Sequence, residues 1–161
     1  MRVQRGVLRC GEFFECVASR IAPQVVVDSI HIGVSDWDQT LHGCSMMETN
    51  GASVFSVKKN VIKLAENLQV IRDAVGRLDL TNAYRCKPHN LDVGGSTNSQ
   101  HLKGKAADIK SKELSVDELS KIVEGLIKSE EIDQGGLGLY NTFTHYDTRG
   151  TRARWSKTIT E

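Results

Sequence analysis

Residues 99–108, with the sequence Ser-Gln-His-Leu-Lys-Gly-Lys-Ala-Ala-Asp, constrain the fold of this chain more than any other stretch. His101 and Asp108 stand seven positions apart, and Gly104 lies between them. On an α-helix this spacing spans about 10 Å, too far for both side chains to bind one ion. In a hairpin that turns at residues 104–105 they would be cross-strand partners, with Cβ atoms about 5 Å apart. The spacing therefore predicts a β-hairpin that presents a nitrogen and an oxygen ligand to one metal ion, a combination that suits zinc.

A catalytic zinc site needs a third protein ligand and an open position for water. His145 lies in Phe-Thr-His-Tyr-Asp at residues 143–147, and the alternation of this run predicts a strand with residues 143, 145 and 147 on one face. We therefore expect the metal ligands to be His101, Asp108 and His145. Asp147 has two interpretations. It could accept a proton from the attacking water, or it could hold a ligating imidazole in place.

Two further polar residues are candidates for contacts with a substrate. Arg85 follows a predicted strand, and its guanidinium suits bidentate recognition of a carboxylate, although a surface cation is the alternative. Ser99 would share a face with His101 in the predicted hairpin. It could orient a ligand or the substrate, or it could be an ordinary polar strand residue.

The hydrophobic pattern predicts an α+β domain. Apolar residues recur at spacings of three and four over residues 57–75, which predicts an amphipathic helix with Ser56 as N-cap and Gly76 just past its end. Ser115 and Glu118 form a capping box that predicts the start of a second helix. Strands are predicted over residues 78–84, 137–140, 142–147 and 152–157, and a loop over 86–98. Two helices beside a small, largely antiparallel sheet form an α+β domain.

Composition limits the class of protein and its partners. The chain has 161 residues, of which 39% are hydrophobic, enough for one domain with its own core. The net charge of +1 predicts neither nucleic acid nor an anionic membrane surface as a partner. No apolar run approaches the roughly 20 residues of a membrane span, and the first residues lack the apolar core of a signal peptide. We expect residues 51–161 to form one compact domain that carries the zinc site, preceded by residues 1–50, whose role is unassigned.

The four cysteines have no zinc-ribbon spacing. We interpret them as free thiols in a reducing compartment, with a Cys10–Cys16 disulfide as the alternative.

Three groups of residues resemble the zinc D-alanyl-D-alanine peptidase family. They are Asn-Ala-Tyr-Arg-Cys at 82–86, the motif S-x-H-x-x-G-x-A-x-D at 99–108, and Phe-Thr-His-Tyr-Asp-Thr-Arg-Gly at 143–150. The resemblance covers residues of about 57–156, is weaker over 30–56 and does not reach residues 1–30. It implies a hedgehog/D-Ala-D-Ala carboxypeptidase-like fold, in which a small antiparallel sheet packs against helices. It also implies one zinc ion, bound by His101, Asp108 and His145.

The same resemblance implies hydrolysis of peptide bonds in peptidoglycan stem peptides, as a D,D-carboxypeptidase or an endopeptidase. Arg85 would hold a substrate carbonyl or carboxylate and stabilise the oxyanion. Many family members carry Glu-x-x-His with the glutamate as general base, whereas Thr142 stands three positions before His145 here. Asp147 is therefore the expected base. The alternative is a catalytically silent zinc-binding or structural module of the same fold.

The branch that these motifs resemble is common in phage and bacterial genomes. We expect a phage lysis enzyme (an endolysin) or a tail-associated enzyme, made in the cytoplasm and acting at the periplasm or cell wall after release or as part of the virion. The expected partners are stem peptides, together with virion proteins for the tail-associated form. A small bacterial cell-wall enzyme exported by another route is the alternative.

Overall fold

The structure, a computed structural model, describes residues 54–157. Helix α1 (Val54–Val75) and strand β1 (Leu78–Asn82) are followed by helix α2 (Lys87–Asp92), a 3₁₀ helix (Gln100–Lys103), strand β2 (Ala106–Ser111) and helix α3 (Val116–Lys128). Strands β3 (Gly136–Tyr140), β4 (Thr144–Asp147) and β5 (Ala153–Lys157) complete the order. The predicted α+β class is confirmed. The segment 1–50 and the boundary after it lie outside the described residues, so that division stays a prediction.

The five strands form one sheet in the order β1-β2-β4-β3-β5. The pairs β1–β2, β2–β4 and β3–β4 are antiparallel, and β3 and β5 are parallel. One face of the sheet packs against α1 and α3 to form the core. Its largest fully buried members include Ile71, Leu78, Ile109, Val123 and Tyr146. Because side chains alternate between faces along a strand, Asp108 and His145 lie on the opposite face.

The two long helices follow the predicted periodicity. Leu64, Leu68 and Ile71 of α1 are buried, as their spacing of four and three residues predicts. The predicted N-cap is wrong, because α1 begins at Val54 and Ser56 lies inside it. Gly76 does follow the helix with a φ of +82°. The predicted start of α3 is confirmed, and both hydrogen bonds of the capping box at Ser115 are present.

A buried polar network fixes strand β4 against α1. The Tyr146 hydroxyl lies 3.1 Å from Asn67 Oδ1 and 2.9 Å from the carbonyl oxygen of Asp133. Asn67 Nδ2 also donates to Asp133 Oδ2 at 2.9 Å. A satisfied buried network of this kind favours one arrangement of the elements that it joins. Since Tyr146 points into the core, its neighbours His145 and Asp147 must point to the other face.

The segment between β1 and β2 differs from the prediction in two ways. Residues 86–98 are not all loop, because α2 forms there with Pro88 in its first turn, where the missing N–H is tolerated. The predicted hairpin over residues 99–108 is also wrong. Residues 100–103 form the 3₁₀ helix, and Gly104 ends it in the left-handed conformation with φ +67° and ψ +25°. A Cβ on Gly104 would lie 2.9 Å from a Val61 methyl, so glycine is required by both conformation and space.

Two other expectations can be compared with the described residues. Cys86 is disulfide-bonded, so the interpretation of the cysteines as free thiols is wrong for this residue. Between residues 54 and 157, no helix is long and apolar enough to cross a membrane.

Candidate metal centre

One row of residues crosses the whole sheet in register. Asn82 on β1 stands opposite Asp108, and Asp108 stands opposite His145. Gly138 on β3 and Trp155 on β5 continue the row beyond His145. Asp108 and His145 are therefore cross-strand neighbours, which brings side chains 37 positions apart in sequence into contact.

His101 reaches this row from the 3₁₀ helix. The Ser99 hydroxyl caps that helix by accepting the backbone N–H of His101 at 3.3 Å. His101 Nδ1 lies 2.5 Å from the carbonyl oxygen of Ala83, which holds the ring against the chain leaving β1. The structure thus brings His101 and Asp108 together as predicted, but by a helical turn and not by cross-strand pairing.

The donor atoms of three buried side chains converge at one point. His145 Nδ1 lies 2.8 Å from Asp108 Oδ1 and 3.3 Å from His101 Nε2. His101 Nε2 is 3.4 Å from the same Asp108 oxygen. The three residues are only 3%, 4% and 7% exposed for His101, Asp108 and His145, so water does not separate the donors. Within residues 54–157 they are the group of histidine, cysteine and acidic side chains that could hold a metal ion.

Each histidine of the cluster uses its other ring nitrogen, the one that points away from the three converging donor atoms, in a hydrogen bond to an oxygen. His101 Nδ1 donates to a carbonyl oxygen, and His145 Nε2 lies 3.1 Å from Asp147 Oδ2 and donates to it. In the neutral tautomers that these acceptors select, His101 Nε2 and His145 Nδ1 both carry lone pairs. Two lone pairs and a carboxylate oxygen at these distances repel one another unless positive charge lies between them.

The electrostatics of the cluster favour such a charge. Burial lowers the pKa of His101, which keeps its ring neutral and able to bind a metal. Burial alone would raise the pKa of Asp108, but its interactions with His101 and His145 outweigh burial and hold that pKa far below the usual range. Burial alone would lower the pKa of His145, but its hydrogen bonds to Asp108 and Asp147 raise it. Without a metal, His145 must supply the positive charge by taking a proton.

The donor set fits a tetrahedral metal ion. Donors about 2.0–2.1 Å from such an ion stand about 3.3 Å from one another. The separations of 3.3 and 3.4 Å from His101 match this value, and the hydrogen-bonded pair at 2.8 Å is somewhat shorter. Two imidazole nitrogens and one carboxylate oxygen form a common donor set for zinc, and three protein ligands leave a fourth position open.

A second carboxylate supports the cluster from beneath. Asp147 has no exposed surface, and it accepts hydrogen bonds from the Gly136 N–H at 3.1 Å and from Arg149 Nη2 at 2.6 Å. Burial alone would raise the pKa of Asp147, but its hydrogen bonds with His145 and Arg149 lower it far below the usual range. This geometry does not fit the predicted role of Asp147 as general base, since both of its oxygens already accept hydrogen bonds and neither is exposed to solvent. It fits the other interpretation, in which Asp147 holds the His145 ring.

Arg85 supports Asp108 in a similar way. Its Nη2 lies 3.2 Å from Asp108 Oδ2, the oxygen that faces away from the histidines, and its side chain is 12% exposed. Its Nη1 lies 3.5 Å from Asn90 Oδ1, and Asn90 Nδ2 donates to the Ser96 carbonyl oxygen at 3.0 Å. Arg85 therefore orients the carboxylate so that Oδ1 points to the cluster. The predicted contact between Arg85 and a substrate stays a prediction, because the contact present is with Asp108.

A comparison with known protein families identifies the family of this chain. The model of the family described as Peptidase M15 matches residues 26–147, which include all three donors of the cluster. The chain belongs to the Peptidase M15 family. M15 peptidases are metal-dependent, which agrees with the cluster and with the predicted resemblance. No curated protein matches the chain.

The M15 centre lies at the floor of a cleft of about 520 Å³. Ser99 and Arg85, both predicted to contact substrate, lie in its wall, but the Ser99 hydroxyl caps the 3₁₀ helix. Beyond the metal-site residues, the described wall also contains Asn82, Val93, Gly94, Gly95, Ser96, Asn98, Gln100, Tyr140, Phe143, Arg149, Trp155 and Lys157. Asp108 is the sole carboxylate among the described residues that line this cleft.

The sequence did not identify the aromatic wall of the cleft. The Trp155 ring lies 5.1 Å from the His145 ring and 5.4 Å from the Arg149 guanidinium. The ring fits because Gly138 has no side chain, and a Cβ there would lie 2.4 Å from the indole. Tyr140 stacks on Phe143 at 4.4 Å beside it. The signal that could have revealed this wall is the glycine that faces a tryptophan on an adjacent strand.

Proposed function

We propose that this chain is a zinc-dependent peptidase that hydrolyses peptide bonds in peptidoglycan stem peptides, as a D,D-carboxypeptidase or an endopeptidase. The observation that carries the proposal is the convergence of His101, Asp108 and His145 at the floor of an open cleft. Membership of the Peptidase M15 family supports a peptide substrate. The cell-wall peptide is our choice within that class, made on the resemblance of residues 82–109 and 143–150.

His101, Asp108 and His145 would hold the zinc, which when bound would polarise the scissile carbonyl and lower the pKa of water. The other residues would keep these ligands in position. Asp147 holds His145 by accepting its Nε2–H, and Arg85 holds Asp108 through Oδ2. Because one supporting contact is buried and the other partly buried, the ligands need little rearrangement on binding the ion, and such preorganisation favours catalysis.

One observation favours the second candidate function, a zinc-binding module without hydrolytic activity. An M15 peptidase needs a group to accept the proton of the attacking water. The cleft wall that the structure describes has no carboxylate other than Asp108, which is committed to the cluster. The two candidates therefore agree on metal binding and differ only in turnover.

Digestion of purified muropeptides by the zinc-loaded protein, followed by mass spectrometry, distinguishes them. A carboxypeptidase shortens pentapeptide stems by one alanine, and an endopeptidase converts cross-linked dimers into monomers. The matched controls are the protein stripped by a chelator and the variant His101→Asn, neither of which should cleave. A zinc-binding wild-type protein that leaves every muropeptide intact would overturn the proposed substrate and favour the silent module.

We also propose that the protein reaches the cell wall as a phage lysis or tail-associated enzyme. Its proposed substrate lies outside the cytoplasm, which supports delivery by release or by the virion. Mass spectrometry of purified phage particles and of lysates tests this proposal. Peptides of the chain in particles indicate a tail-associated enzyme, and peptides in the lysate alone indicate a lysis enzyme. Production by uninfected bacteria that carry no phage genome would contradict both.

A further inference from the structure

Tyr140 lies at the end of β3, in the wall of the cleft that leads to the metal centre. Its ring stacks on Phe143 with the centroids 4.4 Å apart and the planes 16° apart, which fixes the ring plane. Its hydroxyl oxygen accepts a hydrogen bond from Trp155 Nε1 at 3.1 Å. Two aromatic neighbours thus position one phenol oxygen, although nothing in the sequence analysis assigned Tyr140 a role.

The direction of the hydrogen bond to Trp155 determines what Tyr140 can offer. An indole N–H can only donate, so the phenol oxygen must be the acceptor. The hydroxyl hydrogen of Tyr140 therefore remains for another partner, and no acceptor for it is present among residues 54–157. Tyr140 and Arg85 both line the cleft that leads to the metal centre.

Arg85, the residue expected to stabilise the oxyanion, already uses part of its guanidinium within the protein. Arg85 donates to Asp108, and its Nε is buried without a hydrogen-bond partner. Since one of its N–H groups is bound to a metal ligand, Arg85 can approach a substrate only in an orientation that keeps this contact.

We propose that Tyr140 is a catalytic residue that donates a hydrogen bond to the carbonyl oxygen of the scissile peptide bond, and that Trp155 is its positioning residue. This inference rests on the proposed peptidase function. A neutral hydroxyl donor aimed at the oxygen where negative charge develops stabilises the transition state more than the ground state. It does so without a change in its own charge.

The variant Tyr140→Phe tests the proposal because it removes the hydroxyl and keeps the ring that stacks on Phe143. We expect kcat on a stem peptide to fall about 100-fold, the usual cost of losing one oxyanion donor, with KM within about threefold. Zinc content and the midpoint of thermal unfolding should match the wild-type values. A kcat within about twofold of wild type would overturn the proposal, as would a loss of activity that follows a loss of zinc.

The variant Trp155→Phe tests the positioning role, since it keeps an aromatic ring beside His145 and removes the N–H. We expect kcat to fall about tenfold in the wild-type background and not to change in the Tyr140→Phe background, because the hydroxyl to be oriented is already gone. Losses that multiply in the double variant would show that the two residues act independently, and would refute the positioning role.

A second measurement separates this inference from the proposed function. If the wild-type protein cleaves no stem peptide, the proposed substrate is wrong, and the Tyr140 assignment is then judged by the binding of acetohydroxamate to the zinc-loaded protein. This probe offers a carbonyl oxygen at the zinc. Binding about tenfold weaker in Tyr140→Phe supports the donor role, and equal binding overturns it.

Discussion

Replacing Asp147 with asparagine separates the two roles that this buried carboxylate could have in an M15 peptidase. Asp147 accepts hydrogen bonds from His145 Nε2 at 3.1 Å, from Arg149 Nη2 at 2.6 Å and from the Gly136 N–H at 3.1 Å. Asparagine has nearly the same shape but no charge, and its amide nitrogen cannot accept a hydrogen bond. If Asp147 holds His145, the variant weakens the metal centre. If Asp147 is the base, it removes turnover and leaves the centre unchanged.

The structure favours the first outcome and sets its size. Loss of a carboxylate that orients a ligating histidine typically weakens metal binding 10–100-fold, which is about 1.4–2.8 kcal/mol. Removing one partner of a fully buried ion pair costs about 3–5 kcal/mol of folding free energy. Arg149 is 29% exposed and can be partly solvated, and asparagine keeps one acceptor. We therefore expect the free energy of unfolding to fall by about 1–2 kcal/mol.

Three measurements on Asp147→Asn check this reasoning. Competition with a chromophoric chelator gives the zinc affinity, guanidinium unfolding gives the stability, and hydrolysis is followed at increasing zinc. We expect activity to recover largely when zinc is in excess. Asp117→Asn, an exposed change in the first turn of α3, is the matched control and should leave the zinc affinity unchanged. Wild-type zinc affinity together with no hydrolysis at saturating zinc would refute the holding role and establish Asp147 as the base.

Two further predictions concern the scaffold. Gly138→Ala places a Cβ 2.4 Å from the Trp155 ring, so the free energy of unfolding in guanidinium should fall by about 1–3 kcal/mol. Gly125 is exposed in α3 with open space around it, so Gly125→Ala should raise the free energy of unfolding by about 0.5–1 kcal/mol. Equal effects at the two sites would contradict the packing argument. Hydrogen bonds from the Ser115 side chain and backbone lower the pKa of Glu118, so its stabilising effect is present above the ordinary value of 4.5 and is lost as pH falls below it. The difference in unfolding free energy between wild type and Glu118→Gln should shrink over that range; a difference independent of pH would contradict this.

Local sequence patterns predicted the parts of the fold that depend on local physics. The capping box at Ser115 is a set of hydrogen bonds within one turn, so the start of α3 follows from four consecutive residues. The periodicity of α1 likewise identified its buried face, but its first turn was placed three residues late, because Ser53 and Ser56 are both residue types that suit an N-cap. Short strands were identified by alternation, with errors of one or two residues at their ends.

The predicted hairpin failed for a reason that applies to the whole site. A spacing of seven residues allows several local conformations that bring two side chains together, and the hairpin was one of them. The chain instead forms a 3₁₀ helix that Ser99 caps and that ends at Gly104, which packs beside Val61 of α1. This contact joins residues 43 positions apart, so no pattern within residues 99–108 could reveal it.

By itself, the sequence determined which groups are available for chemistry: two histidines and an aspartate with the family motif around them, on an α+β scaffold whose helices are set by local periodicity and capping. Only the tertiary structure decided what each group faces. The register of β2 and β4 places Asp108 opposite His145, Asp147 lies covered beneath His145, and Trp155 reaches the cleft over Gly138. These arrangements come from strand pairing and close packing between distant segments, which local spacing does not specify.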